Sequence, residues 1–463
     1  MLQNPLSLCR RIIKLLAILF SDFIVKATKF ITSRSTVIAL FIAISTALLV
    51  ASSIPQRSTH GDKTPAWVEK LPAGLHYLTN LFGLDFIVGS SWFAILVALF
   101  WISLVISTFS QYSATKALAN RIPPAAMPQE SIRVDCTLSA FSTVAKATGY
   151  REAGSADGVH RFVKNRIGIW GNFLLHIGLV TVVFFSLVYV LTQHRVIFRL
   201  TGQEITRLST DNVQELRGVL PQQRELPYSV VLKNLEQRFW KNDKLEYLSS
   251  ELYFTDKPGG DPQRVDIAVS DKSHFGPYIV YQANAYGRAF DLEFVSAQGE
   301  IHRERLYLPY PSRRDTAAYG EMAIPGTEYL LKGKYYVNTE RTSMKFDVSP
   351  LTLRLLRGKE LLGEVSLSQG STGQLGPFDV RLAQSEWWTD ILLDGTRGTS
   401  GIFTGFALIL AGVLSAYCLV PREIIARETD EGIYVQHLAR RFAQFYREEF
   451  DEIVQKAKDL VEG

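Results

Sequence analysis

Cysteine is scarce in this chain, since only Cys9, Cys136 and Cys418 occur among its 463 residues. They are far apart and odd in number, so they provide no disulfide framework, no Cys-x-x-Cys redox pair and no Cys-x-x-Cys-His haem-attachment sequence. The chain is therefore neither a thioredoxin-like reductase nor itself a c-type cytochrome. The phosphate-loop, Gly-x-Ser-x-Gly, His-Glu-x-x-His and dinucleotide-binding glycine motifs are missing as well. No self-contained active site is predicted.

Charged residues are missing from four stretches, namely 35–56, 86–115, 167–193 and 398–421. Each stretch is long enough to cross about 30 Å of hydrocarbon at about 1.5 Å per helical residue. This pattern excludes disorder, a coiled coil and a simple soluble globule. The lack of acidic or basic groups within the spans also counts against a proton pump or an ion-coupled transporter. We therefore predict an integral membrane protein with four transmembrane α-helices.

Basic residues are distributed unevenly between the connecting segments. Six precede the first span, eight lie in 116–166 and seven follow Pro421, whereas the loop 57–85 has three. Short segments rich in Lys and Arg remain on the cytoplasmic side of a membrane. Both termini and the 116–166 loop are thus predicted to be inside, and the long segment 194–397 outside.

The predicted fold combines the four transmembrane helices with a large external all-β domain and a small cytoplasmic α+β domain. The 194–397 segment alternates apolar and polar residues in many short runs separated by turn signals, which is typical of a β-sandwich or barrel. The predicted parts are a cytoplasmic N-terminus (1–34), TM1 (35–56), an external loop (57–88), TM2 (89–112), the α+β domain (113–166), TM3 (167–192), the β-rich domain (193–398), TM4 (399–421) and a cytoplasmic helical tail (422–463).

The two ends of the chain carry one further prediction each. The apolar core 15–25 is too short to span a membrane and has basic flanks, which favours an amphipathic helix lying in the interface. A cleavable signal peptide is the alternative, but no small-residue cleavage site follows before Lys26. The tail is predicted to be a charged, loosely periodic helix on the surface or facing a partner.

His176 is the only one of the eight histidines within a predicted span. It lies ten residues after Arg166, which places it about 15 Å deep at the helical rise. An ionisable side chain at this depth usually faces a bundle interior or a cavity. It could be an axial ligand of haem iron, or a packing residue that bonds Ser or Thr of a neighbouring helix. A ligand role requires a second ligand from another helix or chain.

Other residues near the span ends allow two interpretations each. His60 and His194 fall where the outer membrane surface is predicted, and either presents its imidazole to haem or carboxylates or is simply exposed. Trp387 and Trp388, before the fourth span, belong either to an interfacial aromatic belt or to a haem-stacking platform. Small residues that recur every fourth position and predict close helix contacts are Ala43, Ala47, Ala51, Gly401 and Gly405.

Several local motifs resemble the ResB (CcsB) family of cytochrome c biogenesis proteins, over about residues 35–427. The matching segments are Ala-Ser-Ser-Ile-Pro-Gln at 51–56, Gly-Ser-Ser-Trp-Phe at 89–93, Arg-Ile-Gly-Ile-Trp-Gly at 166–171, Leu-His-Ile-Gly-Leu at 175–179 and Tyr-Gln-Ala-Asn-Ala-Tyr at 281–286. The Trp-Trp-Thr-Asp at 387–390 differs from the tryptophan-rich haem motif of the family's partner. The chain thus looks like the ResB half alone.

This resemblance implies a role in system II cytochrome c biogenesis. The expected activity is that of a subunit of a haem lyase (cytochrome c synthase) complex, which carries haem across the membrane and presents it to apocytochrome c. His176 corresponds to the family's candidate haem ligand, and haem b is the implied transient cofactor. The implied partners are a ResC/CcsA-type membrane subunit, apocytochrome c and a thioredoxin-like thiol reductase, with no nucleic acid. A scaffold or assembly subunit is the alternative, and a membrane sensor a third. A bacterial cytoplasmic membrane is expected rather than a thylakoid.

Overall fold

The computed structural model describes residues 25–26, 28–56, 66–122, 131–209, 211–218, 220, 225–296, 299–346, 349–430 and 432–462. These residues form two compact units. The helical unit comprises Met1–Ile54, Ala73–Leu191 and Arg397–Gly463, and the β unit comprises Pro55–Pro72 and Thr192–Thr396. Most of the predicted amphipathic helix falls on residues 1–24, which lie outside the described residues.

Helices and strands are numbered here in chain order. The helices are α1 (Arg34–Ser53), α2 (Ala66–Glu69), α3 (Ala73–Phe82), α4 (Ser91–Ala119), α5 (Leu138–Ala147), α6 (Gly171–Leu191), α7 (Thr399–Tyr417) and α8 (Arg447–Glu462). The strands are β1 (Ile132–Val134), β2 (Arg151–Ala156), β3 (Val159–Lys164), β4 (His194–Thr201), β5 (Ile205–Arg207), β6 (Val213–Arg217), β7 (Ser229–Phe239), β8 (Leu245–Thr255), β9 (Gln263–Ala268), β10 (Lys272–Phe275), β11 (Tyr278–Ser296), β12 (Ile301–Pro309), β13 (Ala318–Ala323), β14 (Tyr329–Tyr335), β15 (Leu351–Arg357), β16 (Glu360–Leu367), β17 (Thr372–Leu375), β18 (Phe378–Asp394), β19 (Arg422–Thr429) and β20 (Gly432–Ala439).

Four of the described helices are long and apolar enough to cross a membrane, as the charge-free stretches predict. They are α1, α4, α7, and α6 together with the 3₁₀ turn Arg166–Trp170 that precedes it. Ser33 and Ser90 cap the first turns of α1 and α4, because their side-chain oxygens accept hydrogen bonds from the Thr36 and Phe93 backbone. The predictions of four apolar helices and of a large β-rich region are confirmed.

Helices α6 and α7 lie against each other through glycines. A Cβ atom added to Gly178 would lie 2.6 Å from the Ile409 backbone nitrogen, and one added to Gly412 would lie 2.5 Å from the Leu175 nitrogen. Only residues without a side chain allow two helix backbones to approach this closely. Gly405, which the sequence singled out for close packing, lies on the same seam.

A five-stranded antiparallel sheet with the order β1-β20-β19-β3-β2 adjoins the helices within the helical unit. Helices α5 and α8 cover one face of it, and side chains such as Phe141, Phe162, Val435 and Phe450 form the core. The strands predicted around the turn at 157–158 are confirmed as the β2–β3 hairpin. The sheet therefore draws on both the 113–166 segment and the C-terminal segment.

The prediction of a helical, surface-facing tail over 422–463 is wrong for its first half. Arg422–Thr429 and Gly432–Ala439 form β19 and β20, and β19 occupies the centre of the sheet. Only Arg447–Glu462 is helical, and its Phe450 and Ile453 are buried against the sheet. The charged residues obscured a period-two pattern, since Ile424, Ala426, Ile433 and Val435 all face the core.

The β unit contains a seven-stranded sheet and two four-stranded sheets. The seven-stranded sheet has the order β10-β11-β18-β4-β6, with β12 on β11 and β17 on β18. The four-stranded sheets have the orders β5-β7-β8-β9 and β13-β14-β15-β16. Each four-stranded sheet packs on a different part of the seven-stranded one, which gives two separate cores. The predicted sandwich is thus a tandem of two sandwiches.

The strands β11 and β18 run through both sandwiches. Several short predicted strands merge into them, because residues 278–282 and 290–295 belong to the one strand Tyr278–Ser296. The register between β11 and β18 shifts between Gln282 and Tyr286. Tyr286 and Trp387 contact both cores at this junction. A bulge with large aromatic side chains therefore separates the sandwiches without breaking the sheet.

Candidate functional site

His176 lies in the second turn of α6 and is half-buried. Its Nδ1 atom is 2.8 Å from the carbonyl oxygen of Asn172, one helical turn earlier. A carbonyl oxygen only accepts hydrogen bonds, so Nδ1 carries the hydrogen and donates it. The lone pair of the neutral ring is then on Nε2. This is the tautomer and the backbone anchoring that metal-ligating histidines use.

The contacts of α6 with its neighbours leave His176 on an open face. Gly171, Leu175 and Gly178 form the seam with α7, while Phe173 packs on Tyr112 of α4 with ring centroids 5.3 Å apart. At about 100° per residue, His176 points between these two directions. Its side chain is therefore not required for packing α6 on α7, which weakens the interpretation as a packing residue.

The face of α6 that carries His176 continues into an apolar cavity. Val183, Leu187 and Val190 follow His176 at helical spacing and line a cavity of about 380 Å³. Side chains of α1 and α4, including Phe41 and Phe93, together with Val88 and Ile402, complete its walls. The nearest of these residues, Val183, follows His176 by seven positions, about 10 Å along the helix at about 1.5 Å per residue. A cavity lined almost entirely by apolar side chains suits a flat apolar ligand.

The residues present fit one half of a haem-iron site. A lone pair on Nε2 of a neutral imidazole is the type of donor that haem iron takes as an axial ligand. Within the described ranges of the chain, no three His, Cys, Asp or Glu side chains come together as a metal site. A second axial ligand from another chain agrees with the open face on which His176 lies.

His194 is buried, so the interpretation that it is simply an exposed residue is wrong. It begins β4, is 2% exposed, and places Nε2 2.5 Å from the Glu215 carboxylate. Burial raises the pKa of Glu215, but hydrogen bonds from Arg217 and His194 outweigh this and hold it below its ordinary value. His194 therefore belongs to an internal hydrogen-bonded cluster of the β unit, together with Glu215 and Arg217. His60 lies outside the described residues.

Trp387 and Trp388 are part of β18, so their assignment to an interfacial belt or a haem platform is wrong. Trp388 is buried, and its indole nitrogen donates a hydrogen bond to the Leu308 carbonyl oxygen at 3.1 Å. Trp387 stacks on the Arg288 guanidinium, which lies 4.5 Å from its ring. Burial lowers the pKa of Arg288 and raises the pKa of Tyr286 to about 12. These residues build the junction of the two sandwiches.

Asn172 is the residue of the site that the sequence analysis missed. Its carbonyl oxygen fixes His176, and its side-chain oxygen accepts a hydrogen bond from Arg441 at 3.3 Å. The position four residues before a helical histidine is the one whose carbonyl can reach the ring. That spacing would have identified Asn172.

Four apolar helices, a paired-glycine seam and a tandem β-sandwich define a membrane protein with a large folded domain between its third and fourth spans. A model of the ResB-like family matches residues 35–348, about two thirds of the chain. The chain therefore belongs to the ResB-like family, a membrane-associated family whose members take part in cytochrome c biogenesis. The match ends before α7 and the strands β19 and β20. A comparison with curated proteins gave no match.

Proposed function

We propose that this protein is the ResB-like subunit of a system II cytochrome c synthase, which moves haem across the membrane and presents it to apocytochrome c. The observation that carries the proposal is the imidazole of His176, which Nδ1 anchors to the Asn172 carbonyl oxygen on the face of α6 that leads toward an apolar cavity. Family membership supports the same role. Haem b is then the cargo of the complex, and thioether formation belongs to the complex as a whole.

His176 supplies one axial ligand in this proposal, and a ResC/CcsA-type subunit supplies the other. The Asn172 carbonyl holds the ring in one tautomer, so the nitrogen that faces the ligand needs no reorientation. The apolar side chains of α1, α4 and α6 exclude water from one edge of the macrocycle. The tandem sandwich holds the apocytochrome, and a thioredoxin-like thiol reductase keeps its cysteines reduced.

The proposed site of action is a bacterial cytoplasmic membrane, with both termini and the five-stranded sheet inside. The basic residues of the 116–166 segment and the tail support this orientation. In a cysteine-free background, Lys359→Cys in the β15–β16 turn should react with a membrane-impermeant maleimide on intact cells. Lys456→Cys in α8 should react only after lysis. The reverse pattern would contradict the orientation.

An absorption spectrum of the purified complex tests the haem role. Coexpression with a ResC/CcsA-type subunit should give a Soret band in the wild type, and His176→Ala should remove most of it. His160→Ala is the matched control, because His160 lies in β3 and pairs with Glu152. Imidazole added to His176→Gly should restore the band, which a packing role could not explain.

A haem-free wild-type complex that still matures cytochrome c would contradict the ligand role. It would favour the alternative of a membrane scaffold whose β unit binds a partner protein. Deletion of the β unit would then remove the partner from the purified complex, whereas a haem-binding subunit would lose haem when His176 alone is changed.

A further inference from the structure

A second, cationic cleft lies at the other end of the His176 face of α6. It has a volume of about 340 Å³, and the last turns of α4, the start of α6 and the end of α7 line it. Arg440 and Arg441, which follow β20, complete the lining. Asn172 belongs to the same lining and lies one turn of α6 from His176.

Arg441 is held in position without a carboxylate. Its guanidinium donates to the Ala416 carbonyl oxygen at 3.1 Å and to the Asn172 side chain, and it lies 4.2 Å from the Tyr417 ring centre. Arg440 is exposed beside it. Within the part of the chain that the structure describes, neither arginine pairs with an acidic side chain. Two arginines with no neutralising carboxylate form a site for an anion.

The ordering of the three features along α6 specifies the shape of a ligand. The cationic cleft at Asn172 comes first, the imidazole of His176 follows one turn later, and the apolar cavity at Val183 and Leu187 comes last. A ligand held at the first two is anionic at one end and offers a metal about one helical turn away, and its apolar edge points toward the third. A haem has this arrangement, since its two carboxylates lie on one edge of the macrocycle.

We infer that the cleft binds the carboxylates of the haem whose iron is ligated by His176, an inference that rests on the proposed function. Arg440 and Arg441 neutralise the carboxylates at the end of the helices that adjoins the five-stranded sheet β1-β20-β19-β3-β2, called the small sheet below. The apolar edge of the macrocycle points toward the cavity. An anionic lipid headgroup offers the same oxygen chemistry, so the test must separate the two sources.

The test uses the full chain in nanodiscs of zwitterionic lipid and metal-free protoporphyrin IX as the probe. Without iron the probe cannot be ligated by His176, so its affinity reports the carboxylates and the cavity. Arg441→Gln should raise the Kd about tenfold, as expected for the loss of a charge-assisted hydrogen bond. Arg440→Gln should act in the same direction, and Arg441→Lys should retain most of the affinity. Arg447→Gln, an exposed arginine outside the cleft, should leave it unchanged.

The dimethyl ester of the porphyrin should bind the wild type more weakly and should not respond to the arginine variants. Equal affinity of wild type, Arg440→Gln and Arg441→Gln for protoporphyrin would overturn the inference. Loss of retained phosphatidylglycerol in Arg441→Gln with unchanged porphyrin affinity would overturn it too, and would identify a lipid headgroup site. If ferric haem still forms a His176-dependent Soret band in these cases, the proposed function survives and only the cleft assignment fails.

Discussion

Arg161 in β3 is a buried cation that joins the small sheet to a membrane helix. It is 1% exposed and forms two hydrogen bonds with the Glu423 carboxylate of β19, at 3.0 and 2.8 Å. Its remaining donors reach the carbonyl oxygens of Leu118, Ala119 and Arg121, at the C-terminal end of α4. A cation in this position satisfies carbonyls that have no helical partner and interacts favourably with the helix dipole.

Replacing Arg161 by Met should destabilise the helical unit by about 3–5 kcal/mol, because the Glu423 carboxylate would remain buried without a partner. The double variant Arg161→Met, Glu423→Met should recover much of the loss. Arg133→Met, at an exposed pair with Asp135, should change stability by less than about 1 kcal/mol. Thermal unfolding in detergent measures all three, and a double variant as unstable as Arg161→Met would contradict the account.

His437 in β20 makes the small sheet sensitive to pH. Its ring stacks on Phe450 at 5.4 Å, and burial lowers its pKa below the ordinary 6.5, an effect that Arg422 supports and that Glu449 and Asp451 oppose. The unfolded chain then binds the proton more readily than the folded one. Stability is complete above about pH 6.5 and is lost as pH falls toward the folded pKa. His437→Gln should flatten this dependence in thermal unfolding measured between pH 7.5 and 5, and an unchanged slope would contradict it.

Residue-scale prediction succeeded where the local sequence carried the signal. The location of His176 within an apolar helix followed from the charge-free length of the 167–193 stretch, and α6 confirms it. The burial of His194 and of Trp388 did not follow, since both depend on strand pairing with distant segments, such as Trp388 with Thr201. A residue such as His194 or Trp388 can be close to the end of a span in the sequence and still be buried in the β unit, because it belongs to a strand.

At the element scale, the α6–α7 pair depends on backbone contact. Gly178→Leu should separate the helices, because the new side chain would meet the Ile409 backbone and the Gly405 carbonyl oxygen. The expected result is a clear loss of thermal stability together with weaker haem retention by the complex. Gly74→Ala is the matched control, since nothing lies within 4 Å of its added Cβ and alanine favours a helix. Equal stability of the two variants would contradict the close seam.

The elements that the sequence predicted best are those defined by a single stretch of residues. Charge-free length predicted four helices, and alternation predicted β-structure in the large domain. The strands β19 and β20 were missed because their partners, β3 and β1, lie more than 250 residues earlier in the chain. Their charged residues, among them Glu423 and Arg427, also resemble those of a solvated helix when the sequence is considered without its strand partners.

At the scale of the whole molecule, the small sheet combines two segments that are far apart in the sequence, β1–β3 and β19–β20. It is expected to form only when both segments are present. Truncation after Pro421 removes β19 and β20, which separate β1 from β3 in the sheet. Residues 131–164 should then lose their fold and become sensitive to protease, while the β unit stays resistant. Truncation after Gln444, which keeps both strands and removes α8, should have a smaller effect. Limited proteolysis with mass spectrometry checks this, and a resistant 131–164 segment in the shorter protein would contradict it.

The path from sheet to helices has a mechanical consequence. Strand β3 continues through the 3₁₀ turn into α6, and α7 continues through Pro421 into β19, while β3 pairs with β19 and α6 packs on α7. Where the two paths cross, a Cβ on Gly168 would overlap the Leu419 carbonyl oxygen. Torque applied to the sheet would thus be transmitted directly to α6, the helix that carries His176. A force applied to the sheet on one side of the membrane would then rotate α6 and change the orientation of the His176 imidazole.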